Sequence, residues 1–150
     1  MTQKSALAAL LLLPSFSYAA TVLSAPPELN NKSYVLMDYE TGQILAAKNE
    51  NEKLAPASMT KMMTAILSLE MAKPDDIVHV SNEAANVEGS SLYLEKGDAI
   101  SMSELCQGMM LISGNDAAVA IADAVSGNTT DFVKLMNKKA AEIGAVNTHF

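Results

Sequence analysis

The chain has 150 residues, 49% of them hydrophobic, and a formal net charge of −7. The length favours one domain at most, and the hydrophobic content supports a packed core and argues against a disordered chain. An acidic chain without any Arg is a poor candidate for binding nucleic acid, and it is not attracted to anionic lipid.

Residues 1–19 have the pattern of a secretory signal peptide. A positive start with Lys4 precedes an apolar run that Pro14 interrupts, and residues 17–19 form a small-x-small cleavage site. The run is too short to span a bilayer, and Pro14 disfavours the alternative of a buried N-terminal helix. We therefore expect export to the periplasm or cell envelope of a bacterium. We also expect a lead-in over residues 20–32 and no transmembrane segment after cleavage.

The first folded element is predicted to be a β-hairpin. Two apolar runs, residues 34–39 and 44–47, are joined by residues 40–43, in which a Gly supplies the turn geometry. Asp38 and Tyr39 are interpreted as residues that end the strand and form the turn.

A helix is predicted from Ser58 to about residue 72. Its apolar residues recur at helical spacing, and Lys73-Pro74 ends it. Residues 75–100 have short extended pieces and turn signals, and we expect them to wrap a surface rather than to form core. The apolar stripe of the helix consists of Met59, Met62, Met63, Ile66 and Leu67.

Three further helices are predicted towards the end of the chain. A capping box at residues 101–104 starts the first. Asn115 or Asp116 is expected to cap the second, residues 117–125, which is so apolar that we expect it to be buried all round. The last helix, about residues 130–143, is amphipathic, and its apolar side chains are Phe132, Leu135, Met136 and Ile143. Gly127 and Gly144 are expected to end the second and the third helix.

Ser58 and Lys61 are the first candidate chemical pair. A serine is a weak nucleophile until a base takes its proton, and a lysine can serve when desolvation keeps its amine neutral. The two residues lie one helical turn apart, so their side chains are neighbours, and Ser58 lies where free backbone N–H groups favour an oxyanion. S-x-x-K also occurs by chance on the order of once in such a chain, so a helix cap and a solvated lysine remain the alternative.

The segment Ser113-Gly114-Asn115 is the second candidate. It breaks the chain between two apolar helices, where its polar side chains either cap and turn or face a site. Facing Ser58 and Lys61, Ser113 would offer a hydroxyl to relay protons and Asn115 an amide to hold a substrate carbonyl.

Cysteine and histidine provide no convincing second site. Cys106 is the single cysteine, so it cannot form an internal disulfide, and its apolar setting indicates a small core residue. His79 and His149 show no spacing typical of metal ligands.

Taken together, Ser58-Met59-Thr60-Lys61 and Ser113-Gly114-Asn115 resemble the first two signatures of penicillin-binding proteins and serine β-lactamases. The stretches "YVLMDYETGQIL", "PASMTKMMTA", "GSSLYLEKGD", "SGNDAAVAIAD" and "NTHF" resemble the low-molecular-mass D-alanyl-D-alanine carboxypeptidases, in the expected order over residues 34–150. The resemblance implies an α+β, β-lactamase/transpeptidase-like fold, of which residues 33–150 would form the N-terminal part.

The resemblance also implies roles for four residues. Ser58 would be the acylated nucleophile and Lys61 its general base. Ser113 would pass a proton towards the leaving D-alanine, and Asn115 would bind the substrate's amide. The substrate would be a peptidoglycan stem peptide ending in D-Ala-D-Ala, and β-lactam antibiotics would acylate Ser58 as covalent inhibitors. No metal or organic cofactor is implied.

The third family signature, K-T-G, does not occur in the sequence. In the family it lies on a later strand that supplies the second oxyanion N–H. We therefore expect a truncated fold, a β-hairpin and a helical region without the later sheet strands, with exposed apolar helix faces and little activity.

Three alternatives stay open. A class A-like serine β-lactamase would turn penicillin over rapidly, although such enzymes carry S-D-N where this chain has Ser113-Gly114-Asn115. A non-catalytic peptidoglycan-binding protein would bind cell wall without Ser58, and a functionless remnant would be insoluble or molten.

Overall fold

The computed structural model describes residues 28–150, which divide into two compact units at Glu50. The predicted signal peptide, residues 1–19, and residues 20–27 of the predicted lead-in lie outside the described residues. No helix within residues 28–150 has the length and apolar character needed to cross a membrane.

The first unit contains the predicted hairpin. Strands β1 (Tyr34–Met37) and β2 (Ile44–Lys48) pair antiparallel. The Asp38 carboxylate accepts hydrogen bonds from the backbone N–H and the hydroxyl of Thr41, at 2.8 and 2.6 Å. These bonds lower the pKa of Asp38 and confirm its interpretation as a turn residue.

The second unit, residues 51–150, is mostly helical. A short 3-10 turn leads into the first helix, and two strands of three residues, Ile77–His79 and Ala99–Ser101, pair antiparallel. In chain order the elements are the 3-10 turn Ala57–Met59, α1 (Thr60–Met71), β3 (Ile77–His79), α2 (Asn82–Ala85), β4 (Ala99–Ser101), α3 (Met102–Ile112), α4 (Asn115–Ser126) and α5 (Thr129–Glu142).

Helix α4 is the centre of this unit, since it packs against α1, α2, α3 and α5. Its small side chains Ala117 and Ala120 allow the neighbouring helices to approach closely, and both are buried with Ile121. The prediction that α4 is buried all round is wrong, because Ala124 is exposed. The α4 residues contribute to two apolar clusters, one with Val78, Val80, Ala84, Met102, Leu105 and Met109, the other with Met63, Leu67, Phe132, Met136 and Ala140.

The ends of the helices follow local sequence chemistry. The capping box at α3 is confirmed: Ser101 Oγ accepts from the Glu104 N–H at 3.2 Å, and Glu104 Oε2 accepts from the Ser101 N–H at 3.1 Å. Gly127 and Gly144 have φ of +84° and +80°, as expected for residues that follow a helix.

The interpretation of residues 75–100 as a surface wrapping is wrong in part. Val78, Val80 and Ala84 are all buried in the first apolar cluster. A strand of three residues is too short to show a clear alternating pattern, so its burial depends on what packs over it.

The predicted stripe of α1 is only partly buried. Met63 and Leu67 are buried, whereas Met59, Met62 and Ile66 are exposed. Thr64 and Ser68 are buried instead. Helical periodicity identified an apolar stripe, but the neighbouring helices cover only its edge and the face beside it. The exposed apolar face expected from the sequence is present on α1.

Candidate active site

Ser58 lies in the 3-10 turn immediately before α1, and its side chain is exposed. The preceding residue, Ala57, has φ of +50°, a left-handed conformation that is unfavourable for a residue with a Cβ. The helix expected to begin at Ser58 therefore begins as this tighter turn, and α1 itself begins at Thr60. The strained turn presents the Ser58 hydroxyl at the surface of the unit.

Lys61 lies within the first turn of α1 and is half-buried. Its Nζ donates hydrogen bonds to the Ser113 carbonyl at 2.8 Å, to Ser113 Oγ at 3.0 Å and to Asn115 Oδ1 at 2.6 Å. Three acceptors match the three hydrogens of an ammonium group. Lys61 is thus held firmly against the break between α3 and α4.

Ser113 connects Lys61 to Ser58. It ends α3 with φ of +62° and ψ of +37°, a conformation that directs both its carbonyl and its hydroxyl to Lys61. Its hydroxyl also donates to Ser58 Oγ at 2.7 Å. Among the hydrogen bonds of the described residues, Lys61 reaches Ser58 through Ser113, whereas the spacing of S-x-x-K predicted direct neighbours.

Asn115 is the first residue of α4 and is engaged at both ends of its amide. Its Oδ1 accepts from Lys61, and its Nδ2 donates to the Glu88 carbonyl at 2.6 Å. Its backbone N–H donates to the Ser90 carbonyl at 2.7 Å. The prediction that Asn115 or Asp116 caps α4 is wrong, because Gly114 occupies the cap position without a side-chain hydrogen bond. The side chains of Asn115 and Asp116 instead form hydrogen bonds with residues that are distant in the sequence.

Burial makes the ammonium form of Lys61 less favourable than it is in water. Burial lowers the pKa of its amine below the ordinary value, and the negative charge of Asp116 acts in the opposite direction without cancelling that effect. A lowered pKa increases the fraction of neutral amine, which is the form that can accept a proton. The heavy-atom path from Ser58 through Ser113 to Lys61 can then carry a proton once both hydroxyls rotate.

A cavity of about 410 Å³ opens beside these residues. Ser58, Lys61 and Asn115 line one part of it, and apolar side chains of α4 and α5, among them Val119 and Phe132, line much of the rest. A serine hydroxyl at the edge of a largely apolar cavity, with a few convergent polar groups, is a common arrangement in enzymes that act on small substrates.

The other candidates of the sequence lie elsewhere. Cys106 is half-buried against the core, with its sulfur 3.0 Å from Ser68 Oγ, which fits a packing role. Within residues 28–150, no three His, Cys, Asp or Glu side chains lie together as metal ligands.

The family comparison agrees with the geometry. The model of the peptidase S11 family, D-alanyl-D-alanine carboxypeptidase, matches residues 20–150. The chain belongs to this family. D-alanyl-D-alanine carboxypeptidase DacF of Bacillus subtilis is 48% identical over 124 residues, which cover 79% of this chain and 32% of the relative. DacD of Escherichia coli is 42% identical over 136 residues, covering 83% of this chain and 35% of the relative.

Solved structures show the same fold. The D-alanyl-D-alanine carboxypeptidase DacD from Francisella tularensis superposes with a TM-score of 0.78 at 40% identity, over 84% of this chain and 32% of that one. Penicillin binding protein 6B from Escherichia coli gives a TM-score of 0.77 at 41% identity, over 85% and 43%. The α+β transpeptidase-like fold predicted from the sequence is confirmed for the N-terminal portion. The chain spans about a third of the length of the curated relatives it matches.

The family resemblance pointed to a segment whose role the motif analysis missed. Residues 88–94 form a loop that supplies the Glu88 and Ser90 carbonyls to Asn115. The feature of the sequence that marks this loop is the glycine at position 89. Gly89 has φ of +104°, and a Cβ at this position would lie 2.5 Å from Asn115 Nδ2. In this carboxypeptidase family member, Gly89 allows the loop backbone to approach Asn115.

Proposed function

We propose that the chain carries the acylating half of a serine D-Ala-D-Ala carboxypeptidase site. The observation that supports this most directly is the unbroken path from Ser58 Oγ to Ser113 Oγ, 2.7 Å, and on to Lys61 Nζ, 3.0 Å. Membership of the family supplies the reaction class, and the path supplies a way to activate the serine.

Ser58 attacks the carbonyl carbon of the peptide bond between two D-alanines. Its proton moves to Ser113, and the Ser113 proton moves to neutral Lys61. When the tetrahedral intermediate collapses, Ser113 donates a proton to the departing nitrogen and recovers one from Lys61. D-alanine leaves, the peptidyl group remains on Ser58 as an ester, and water hydrolyses that ester.

Asn115 holds the base and also contacts the substrate. One hydrogen of its Nδ2 donates to the Glu88 carbonyl, and the amide has a second hydrogen for a substrate carbonyl. Its Oδ1 keeps Lys61 in place. Asn115 therefore couples binding of a peptide to the position of Lys61.

The natural substrate in this proposal is a peptidoglycan stem peptide ending in D-Ala-D-Ala. β-Lactam antibiotics acylate Ser58 in the same way and remain bound. The work of such an enzyme is in cell-wall synthesis and cell shape, after export to the periplasm or cell envelope by the signal peptide at residues 1–19. The 150 residues contain no K-T-G, and one oxyanion donor is typically worth roughly 3 kcal/mol. We therefore expect slow acylation and very little peptide hydrolysis by this chain.

Intact-mass measurement after incubation with a penicillin tests the proposal. The full chain should gain one penicillin, and Ser58→Ala should gain none. Ser103→Ala, on α3 and outside the cavity lining, is the matched control and should react like the wild type. No adduct on a soluble, folded chain would overturn the proposal for this chain.

The same samples separate the alternatives. Rapid release of hydrolysed penicillin would indicate a β-lactamase. Cell-wall binding that is unchanged in Ser58→Ala, without an adduct, would indicate a non-catalytic binding protein. Sequencing the N-terminus of the exported protein tests cleavage after residue 19.

A further inference from the structure

Asp116 is buried beside the site, and the proposed reaction gives it no part. Its side chain is 1% exposed and every oxygen is used. Oδ2 accepts from Ser91 Oγ at 2.6 Å and from the Leu94 N–H at 3.1 Å, while Oδ1 accepts from the Leu92 N–H at 3.0 Å and the Ala117 N–H at 2.9 Å. Three of these four donors belong to the loop 88–94.

The loop backbone is shaped around this carboxylate. Tyr93 is exposed and has φ of +60°, an unfavourable conformation for an aromatic residue. With Tyr93 in this conformation, the N–H groups on either side of it both point to Asp116. Backbone N–H groups that converge around a left-handed residue form a small anion-binding concavity. Here the N–H groups are those of Leu92 and Leu94, and the anion is the Asp116 carboxylate.

The loop in turn holds Asn115. The Glu88 carbonyl accepts from Asn115 Nδ2, and the Ser90 carbonyl accepts from the Asn115 backbone N–H. Asn115 Oδ1 accepts from Lys61 Nζ. The contacts therefore run without interruption from Asp116 through the loop to Asn115 and then to Lys61.

We propose that Asp116 is a positioning residue, whose carboxylate holds the loop 88–94 so that the loop fixes Asn115 against Lys61. The functional meaning of this arrangement rests on the proposed carboxypeptidase site. Asp116 touches none of the reacting atoms and acts through Asn115. The proposal predicts that loosening the loop changes the site even where the fold is intact.

Two variants and one control separate positioning from general stability. Asp116→Asn keeps the shape, but its NH₂ group cannot accept, so either Leu92 or Leu94 loses its acceptor. Ser91→Ala removes the hydroxyl that donates to Asp116 Oδ2 and accepts from the Tyr93 N–H at 2.8 Å, and it keeps every charge. The control, Asp123→Asn, alters another α4 carboxylate. It accepts from a serine, Ser81 Oγ, at 2.6 Å, and among the hydrogen bonds of the described residues its side chain makes none to the loop 88–94.

The measurement is hydrogen exchange by NMR on the labelled full chain without any β-lactam. In Asp116→Asn we expect exchange at the Leu92 or Leu94 amide and at the Asn115 side-chain amide to accelerate at least about tenfold, the effect of losing a hydrogen bond to a charged group. Ser91→Ala should shift the same signals in the same direction, and Asp123→Asn should leave them unchanged.

A pH titration of the Lys61 13Cε resonance gives the pKa of Lys61. If the loop contacts only stabilised the fold, Ser91→Ala would leave this pKa unchanged. Asp116 is the charged group that acts on Lys61, and the partners of Nζ, Ser113 and Asn115, are neutral. In Ser91→Ala the Lys61 pKa should fall because the ammonium loses a firmly held acceptor, although no charge has changed. In Asp123→Asn it should stay as in the wild type.

Unchanged Asn115 and Lys61 signals in Asp116→Asn would overturn the proposal, as would equal changes in Asp123→Asn. If Asp116→Asn does not fold, unchanged Asn115 and Lys61 signals in Ser91→Ala are enough to overturn the proposal. Acylation by penicillin does not enter these readings, so a failure of the proposed function and a failure of the positioning role give different results.

Discussion

Replacing Gly89 with Ala should disturb the candidate site more than it disturbs the fold. Gly89 has φ of +104°, and an added Cβ would lie 2.5 Å from Asn115 Nδ2 and 3.6 Å from its Cγ. The backbone conformation alone costs a residue with a Cβ on the order of 1–3 kcal/mol. Asn115 must also move, and it can do so only by weakening its bonds to the Glu88 carbonyl and to Lys61.

Gly97→Ala is the matched control. Gly97 has φ of +93°, and nothing lies within 4 Å of an added Cβ, so this variant carries the backbone strain without the contact. Urea unfolding followed by circular dichroism should show both variants destabilised. Gly89→Ala should be less stable than Gly97→Ala by a further amount of about 1.5–3 kcal/mol, the value of a hydrogen bond that involves a charged group.

Two measurements on the candidate site complement the unfolding experiment. The Asn115 side-chain amide resonances should move in Gly89→Ala and stay in Gly97→Ala, and the rate of Ser58 acylation by penicillin should fall in the first variant alone. If the two variants are equally stable and Asn115 is unmoved in both, the loop does not hold Asn115 in the way described.

Two further predictions concern the strained serine and the buried carboxylate. Ser113→Gly should be more stable than Ser113→Ala by about 1 kcal/mol, because both lose the hydroxyl but only Gly is relaxed at φ of +62°. As a control, Ala124→Gly, at an exposed helical position, should destabilise the chain by up to about 1 kcal/mol. Burial raises the pKa of Asp116, but its hydrogen bonds outweigh burial and lower the pKa below 3.8, so its stabilisation is complete above that pH and disappears as pH falls through the lowered pKa. Acid unfolding should therefore show an advantage of the wild type over Asp116→Asn that shrinks below about pH 4; an advantage independent of pH would contradict the assignment.

The sequence predicted several turns and helix ends whose contacts span only a few residues. Asp38 closes its turn through Thr41, and Ser101 with Glu104 starts α3. Gly127 ends α4 as expected. These contacts depend on side chains one turn apart, whose geometry is set by the local backbone.

Predictions of burial were weaker. Periodicity marked the apolar stripe of α1, but Met62 and Ile66 are exposed while Thr64 and Ser68 are buried. Likewise, Val78 and Val80 belong to the core although their segment looked irregular. Which face of an element is buried depends on what packs against it, and that information lies in distant parts of the chain.

By itself, the sequence determined the family, four of the five α-helices in the described residues and the identity of four candidate residues, because motifs and caps are local. Only the tertiary structure decided how those residues meet. It placed Ser113 between Lys61 and Ser58, and it brought the loop 88–94 onto Asn115 and Asp116. The physical reason is that hydrogen bonds between residues more than twenty positions apart exist only after α1, α4 and the loop have packed together.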